Sequence, residues 1–142
     1  MGTVRCILQQ KDHTVLTIAP DATVFSALEM MVEKNVGALL VSDHEKLIGI
    51  FTERDYARKV ILKGKASKET IIKEIMSEHP VTVTPDTKVE ECMQLMTDRF
   101  IRHLPVVDNN ELIGLVSIGD IVKYIIEEQK YIIDNLEHYI AG

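Results

Sequence analysis

The residues best suited to chemistry form one short run, Gly49-Ile50-Phe51-Thr52-Glu53-Arg54-Asp55. The apolar stretch Leu47 to Phe51 reads as a buried strand. Thr52 closes it and suits the cap of a following helix. Asp55 then falls in the first helical turn, where a carboxylate is favoured. One corner thus gathers a hydroxyl, a carboxylate and backbone N–H groups. The same device returns at Gly114-Leu115-Val116-Ser117-Ile118-Gly119-Asp120. Two such corners predict a paired site for a small polar ligand.

The elements that carry the corners are themselves duplicated. A shift of 65 residues lays Thr17, Pro20, Asp21 and Val24 on Thr82, Pro85, Asp86 and Val89. It also superposes Leu47-Ile48-Gly49 on Leu112-Ile113-Gly114, and Asp55 on Asp120. From Thr17 to Val60 there are 12 identities over 44 positions without a gap. Chance would give about 3, so a duplicated supersecondary unit is the better account.

In the first copy, Val15 to Ile18 reads as a short strand, and Thr23 caps a helix with Val24, Ala27, Leu28, Met31 and Val32 on its apolar face. Asn35-Val36-Gly37 ends that helix. Ala38 to Val41 and Leu47 to Phe51 form a hairpin. A second helix spans Arg54 to Leu62 and stops at Gly64. The linker is polar and partly helical over Thr70 to Ile75. In the second copy, Val81 to Val83 is an expected strand. Thr87-Lys88-Val89-Glu90 is an expected capping box, and Leu104 to Val107 with Leu112 to Val116 is a hairpin. The last helix keeps helical spacing from Ile121 to Ile140, and its apolar face must bury against something. Residues before Val15 form an irregular or briefly helical lead-in. The expected division is repeat one over 8–66, linker 67–75, repeat two over 76–132 and the end of the C-terminal helix over 133–142.

Bulk properties narrow the function. The net charge is −6 with both signs interspersed, which argues against a general nucleic-acid surface. No apolar run reaches the ~20 residues of a membrane span, and Met1 to Gln10 has no signal-peptide pattern. A cytoplasmic location is expected. Cys6 and Cys92 make no metal or redox spacing, and Cys92 reads as a small buried hydrophobe. No catalytic triad, phosphate-binding glycine loop or metal-ligand cluster stands out. His13, His44, His79 and His138 have no partners at ligand spacing and are expected to be exposed. The chain is therefore expected not to be an enzyme. Asp55 and Asp120 also suit ordinary first-turn aspartates, and Thr52 and Ser117 ordinary caps. Repetition at matched corners weighs against that bland reading for the aspartates.

Each unit resembles a CBS (cystathionine β-synthase) domain. The resemblance rests on Thr17-Ile18-Ala19-Pro20-Asp21 with Val24, and Gly49-Ile50-Phe51-Thr52 with Asp55. In the second copy it rests on Thr82-Val83-Thr84-Pro85-Asp86, Ile101-Arg102-His103-Leu104-Pro105-Val106-Val107-Asp108, and Gly114-Leu115-Val116-Ser117 with Asp120. It covers about Lys11 to Glu127, and the whole chain is similar to a stand-alone bacterial two-repeat protein. The resemblance implies an α+β fold: two βαββα repeats packed with pseudo-two-fold symmetry (a CBS pair, or Bateman module), plus the long C-terminal helix. It implies an adenosine-containing ligand (AMP, ADP, ATP, NAD or S-adenosylmethionine) as a regulatory ligand, with no cofactor required. It further implies a homodimer and an unknown downstream partner. The aspartate after the Gly-strand-Thr/Ser corner would accept from ribose hydroxyls. Site one would join Thr52, Arg54 and Asp55 to Val81, Arg102 and His103, with Val81 on the adenine edge and the basic residues on phosphate. Site two would join Ser117, Gly119 and Asp120 to Leu16, Gly37 and Ala38. There Gly37-Ala38 replaces the Arg-His pair and Gly119 replaces Arg54, so site one is the expected phosphate-binding site. The alternative is a homodimeric interaction scaffold without a nucleotide.

Overall fold

The structure, a computed structural model, describes residues 1–11 and 15–141; His13 lies outside them. The chain alternates α1 (Val4–Gln9), β1 (Thr17–Ile18), α2 (Val24–Lys34), β2 (Ala38–Asp43) and β3 (Lys46–Thr52). Then come α3 (Glu53–Tyr56, prolonged by a π-helical turn over Ala57–Ile61), α4 (Ile72–Ile75), β4 (Ser77–Glu78) and α5 (Val89–Arg99). It ends with β5 (His103–Asp108), β6 (Glu111–Ser117) and α6 (Ile118–Ala141). No helix among the described residues is long and apolar enough to cross a membrane.

Two compact units result. The first-repeat unit runs from β1 to Val81, with Asn110–Leu112 added. The second-repeat unit takes the N-terminal segment, Thr82–Asn109 and the chain from Ile113 on. In the first-repeat unit the strands lie in the order β1-β2-β3-β4. The β1–β2 pair is parallel; β2–β3 and β3–β4 are antiparallel. Val24, Ala27 and Met31 of α2 reach Leu39, Val41 and Phe51 of the sheet, and Val60, Ile72 and Ile75 close the cluster. Thr23 caps α2 as expected, its hydroxyl accepting from the N–H of Ser26 at 3.1 Å. Asn35 ends it in the left-handed region at φ 54°, where asparagine is better tolerated than most residues. The second-repeat unit pairs β5 with β6 and buries Val89, Cys92, Met96, Leu104, Val106 and Ile121.

Each repeat is completed by the segment that precedes the other. In the first-repeat unit, Ile72 N–H donates to Ala22 O at 2.8 Å, Lys73 N–H to Pro20 O at 2.9 Å, and Val24 N–H to Thr70 O at 2.8 Å. In the second-repeat unit the same three bonds recur: Val4 N–H to Thr87 O at 2.9 Å, Arg5 N–H to Pro85 O at 2.9 Å, and Val89 N–H to Gly2 O at 3.0 Å. So α1 does for repeat two what α4 does for repeat one. The N-terminal segment through α1 is thus a structural element of the later repeat.

Three local expectations change. The capping box at Thr87 does not form: Lys88 is the N-cap and makes no side-chain bond. Thr87 instead accepts from Thr84 N–H at 3.0 Å, while the bond to Gly2 O takes up the N–H of Val89. Val81 to Val83 is not a strand but a single parallel bridge, Val83 to Val106. The cause is Pro105. In the first repeat, Leu40 N–H donates to Leu16 O at 3.2 Å; Pro105 holds the equivalent place and carries no N–H. Third, the helix expected from Arg54 to Leu62 widens into a π turn midway, with Val60 fully buried within it.

Gly49 faces β4. A Cβ there would lie 2.6 Å from Met76 Sδ and 2.9 Å from Ser77 O. The backbone oxygen cannot swing aside as a side chain can. Gly49→Ala is expected to cost about 1–3 kcal/mol, read as a lower midpoint in thermal unfolding.

Candidate nucleotide-binding corners

Both corners are built by a strand that runs out of sheet at a hydroxyl residue. In the first-repeat unit, Phe51 is fully buried and Thr52 is the first residue able to turn outward as a cap. Its hydroxyl accepts from Asp55 N–H at 3.2 Å, and Asp55 Oδ2 accepts in return from Thr52 N–H at 3.0 Å. The Thr52 hydroxyl also donates to Oδ2 at 3.1 Å. Reciprocal capping of this kind satisfies two otherwise orphaned donors. Asp55 is 5 % exposed, so its second oxygen needs donors as well. Oδ1 accepts from the Ser77 hydroxyl at 2.9 Å and pairs with the Lys59 ammonium at 3.1 Å. Gly37 O accepts from Glu53 N–H at 3.2 Å, and Ala38 pairs with Thr52 in the β2–β3 register.

The second-repeat unit repeats the plan. Ser117 Oγ accepts from Asp120 N–H at 3.1 Å, and Asp120 Oδ2 accepts from Ser117 N–H at 2.9 Å. Arg102 O accepts from Ile118 N–H at 2.9 Å, matching the Gly37–Glu53 bond. The cation, however, arrives from elsewhere. Lys11 Nζ lies 2.7 Å from Asp120 Oδ2 and donates to Leu115 O at 2.8 Å. Burial works against the Asp120 charge, but the bonds from Lys11 and Ser117 outweigh it and hold the carboxyl below its ordinary 3.8.

The first-repeat unit therefore holds Leu16, Gly37, Ala38, Thr52, Arg54, Asp55 and Val81, and the second holds Arg102, His103, Ser117, Gly119 and Asp120. Within the units, Gly37, Ala38, Thr52 and Asp55 meet at one corner, and Arg102, Ser117 and Asp120 at the other. Arg54 and Arg102 are exposed and His103 is half-buried. Three participants escaped the sequence: Lys59, Ser77 and Lys11. Lys59 had a signal, its four-residue spacing from Asp55 on a helix. Ser77 and Lys11 had none, because each reaches its carboxylate through tertiary structure. His44 lies 3.5 Å from Asp43 and is exposed, as are His79 and His138. Burial, with a lesser push from Glu91, raises the Cys92 thiol to about 11, so it is an inert core residue. Among the described residues no group of three or more His, Cys, Asp or Glu could hold a metal ion.

Because Asp120 titrates below its unfolded value, its pairing adds stability above the unfolded carboxylate pKa of about 3.9. That stability is lost as pH falls through the lower folded value. Lys11→Met is therefore expected to destabilise the protein by up to about 1 kcal/mol at pH 7 and by much less at the acid end of the titration. Urea unfolding at both pH values measures the difference; an equal cost at both would disprove the ionic role of Lys11.

Comparison with known proteins agrees with the duplicated plan. The family model described as "CBS domain" matches residues 11–62 and 72–127. The chain is 46 % identical over 136 residues to the mitochondrial CBS domain-containing protein CBSX3 of Arabidopsis thaliana, covering 92 % of this chain and 66 % of that protein. A CBS-domain protein of known structure from Burkholderia ambifaria MC40-6 is 48 % identical, with a TM-score of 0.87 over 89 % of this chain and 96 % of that one. The CBS domain pair of protein MJ0100, solved with 5'-methylthioadenosine and S-adenosyl-L-methionine, is 26 % identical, with a TM-score of 0.76 over 87 % of this chain and 98 % of that one. With the repeat, both corners and the family model in register, the chain belongs to the CBS-domain family and carries the domain twice.

Proposed function

We propose that the chain is a non-catalytic regulatory module of the cytoplasm that binds an adenosine nucleotide (AMP, ADP, ATP or NAD) in the cleft between its two repeats. It serves as an energy or metabolite sensor in signal transduction, works as a homodimer and passes its state to a downstream protein. The observation that carries this reading is the carboxylate fixed at each corner by reciprocal capping. Such an acid is an ordered acceptor for two vicinal ribose hydroxyls, whose charge-assisted bonds contribute about 1.5–3 kcal/mol each. The ligands bound by the MJ0100 domain pair are adenosine derivatives, which supports the choice of class.

Site one is the phosphate-binding site in this reading. Asp55 takes the ribose, exchanging the Ser77 hydroxyl and the Lys59 ammonium for ligand hydroxyls. Lys59 then adds positive charge beside Arg54, Arg102 and His103. Val81 serves the adenine edge; the rung that ties Leu16 O in repeat one has no counterpart at Val81, because Pro105 has no N–H. Site two, with Ser117, Gly119 and Asp120 facing Leu16, Gly37 and Ala38, binds weakly because Gly37-Ala38 stands where site one has Arg102-His103 and Gly119 where it has Arg54. The fact that both carboxylates have donors from their own chain favours a second reading, a homodimeric scaffold without a nucleotide.

Calorimetry against AMP, ATP, NAD and S-adenosylmethionine separates the two. At least one is expected to bind. Asp55→Ala should weaken it by about 10- to 100-fold, and Asp120→Ala should leave that site within a few-fold of the parent. Equal losses would refute the assignment of site one. Failure of all four ligands to bind or to raise the unfolding midpoint would leave the scaffold.

A further inference from the structure

Helix α6 outlasts the fold it belongs to. Its beginning is anchored by Ile121, which is 1 % exposed, and packs with α1 and α5. Over residues 129–141 every side chain is exposed. Ile132, Ile133 and Leu136 are then 43 %, 51 % and 56 % exposed, a contiguous apolar face that a stable monomer rarely presents. The attached half continues the stripe: Val122 and Ile126 are about half exposed.

The stripe reads alike in both directions from Gln129. Three residues to either side stand Ile126 and Ile132; four to either side, Ile125 and Ile133; seven to either side, Val122 and Leu136. Eleven residues out the pattern repeats with Ile118 and Ile140. At 3.6 residues per turn, all of these lie within about 60° of the direction of Gln129. Such a palindrome fits a two-fold antiparallel helix pair, in which each residue meets its mirror position. The protruding half of one helix then covers the exposed strip on the attached half of the other. A parallel pair would set both attached halves, and the units that carry them, at the same end.

The rim agrees. Lys123 and Glu137 lie on one flank of the stripe, six residues before Gln129 and eight after it. Antiparallel pairing sets Lys123 across from Glu137 of the partner subunit, twice by symmetry. A 24-residue helix is ~36 Å long, and the palindromic stripe from Ile118 to Ile140 runs nearly all of it, so each helix can cover the other along its length. We propose that α6 pairs antiparallel with α6 of a second copy, crossing at Gln129, whose amide can bond its own copy at the dyad. This rests on the homodimer reading and specifies its interface.

Light scattering on the full chain at tens of micromolar is expected to give the dimer mass. Leu136→Glu is expected to give the monomer mass with unchanged circular dichroism. Lys123→Glu and Glu137→Lys should each weaken the dimer several-fold, and the double variant should restore it. In a background with Cys6→Ser, Val122→Cys mixed with Leu136→Cys should cross-link, whereas neither alone should. A dimer indifferent to Leu136→Glu, or self-linking of Val122→Cys, would overturn this pairing and leave the homodimer standing. A monomeric parent would overturn both.

Discussion

A carboxylate that bends back to cap its own helix is the constraint on which this architecture turns. Asp55 holds Thr52 N–H, and Asp120 holds Ser117 N–H. The bond fixes where the strand stops, how the chain turns and where the acid's other lone pairs point. A cap of this sort is worth about 1 kcal/mol, small beside the stability of a domain. Its larger effect is conformational. The side chain that a ligand would need is already frozen, so little rotamer freedom remains to be lost on binding.

Burying that acid creates a second demand, and the two repeats meet it by different routes. Asp55 takes Lys59 from its own helix, one turn on. The residue equivalent to Lys59 in repeat two is Tyr124, whose hydroxyl instead accepts from Gly2 N–H at 3.1 Å. Asp120 must therefore find its cation elsewhere, and the N-terminal segment delivers Lys11. The same segment supplies α1, which closes the second repeat as α4 closes the first. One stretch of chain thus completes both the packing and the electrostatics of a corner far from it in sequence. An intact second repeat would depend on residues that precede the first.

The legible part of this protein was whatever repeats locally. Hairpins flanked by Asn and Asp, the Thr23 cap and the strand-to-helix corners are set by neighbours within a few residues, and the sequence displays them directly. The long helix was legible too, because its period persists over the whole stretch. What escaped was set by distant partners. Thr87 has the letters of a cap, yet the backbone of Gly2 takes that function. Val81 to Val83 has the letters of a strand, yet Pro105 on the neighbouring strand withholds a donor. Ser77 lies just after the expected linker, in a stretch with no strand signal, and reaches Asp55 only because β4 adds to the sheet edge. The π turn in α3 left no mark that propensity could read.

The differences between the two corners matter more than their likeness. Lys59 stands one helical turn from Asp55, so in repeat one the acid and its cation are carried by a single element. Lys11 comes from a segment far from Asp120 in sequence. It donates to the Leu115 backbone carbonyl as well as to Asp120. Asp120 is thus paired by the segment that closes its unit, whereas the more deeply buried Asp55 is paired by a lysine of its own helix and by Ser77. Duplication of one corner has kept the cap in both copies and left each acid to draw its cation from a different part of the chain.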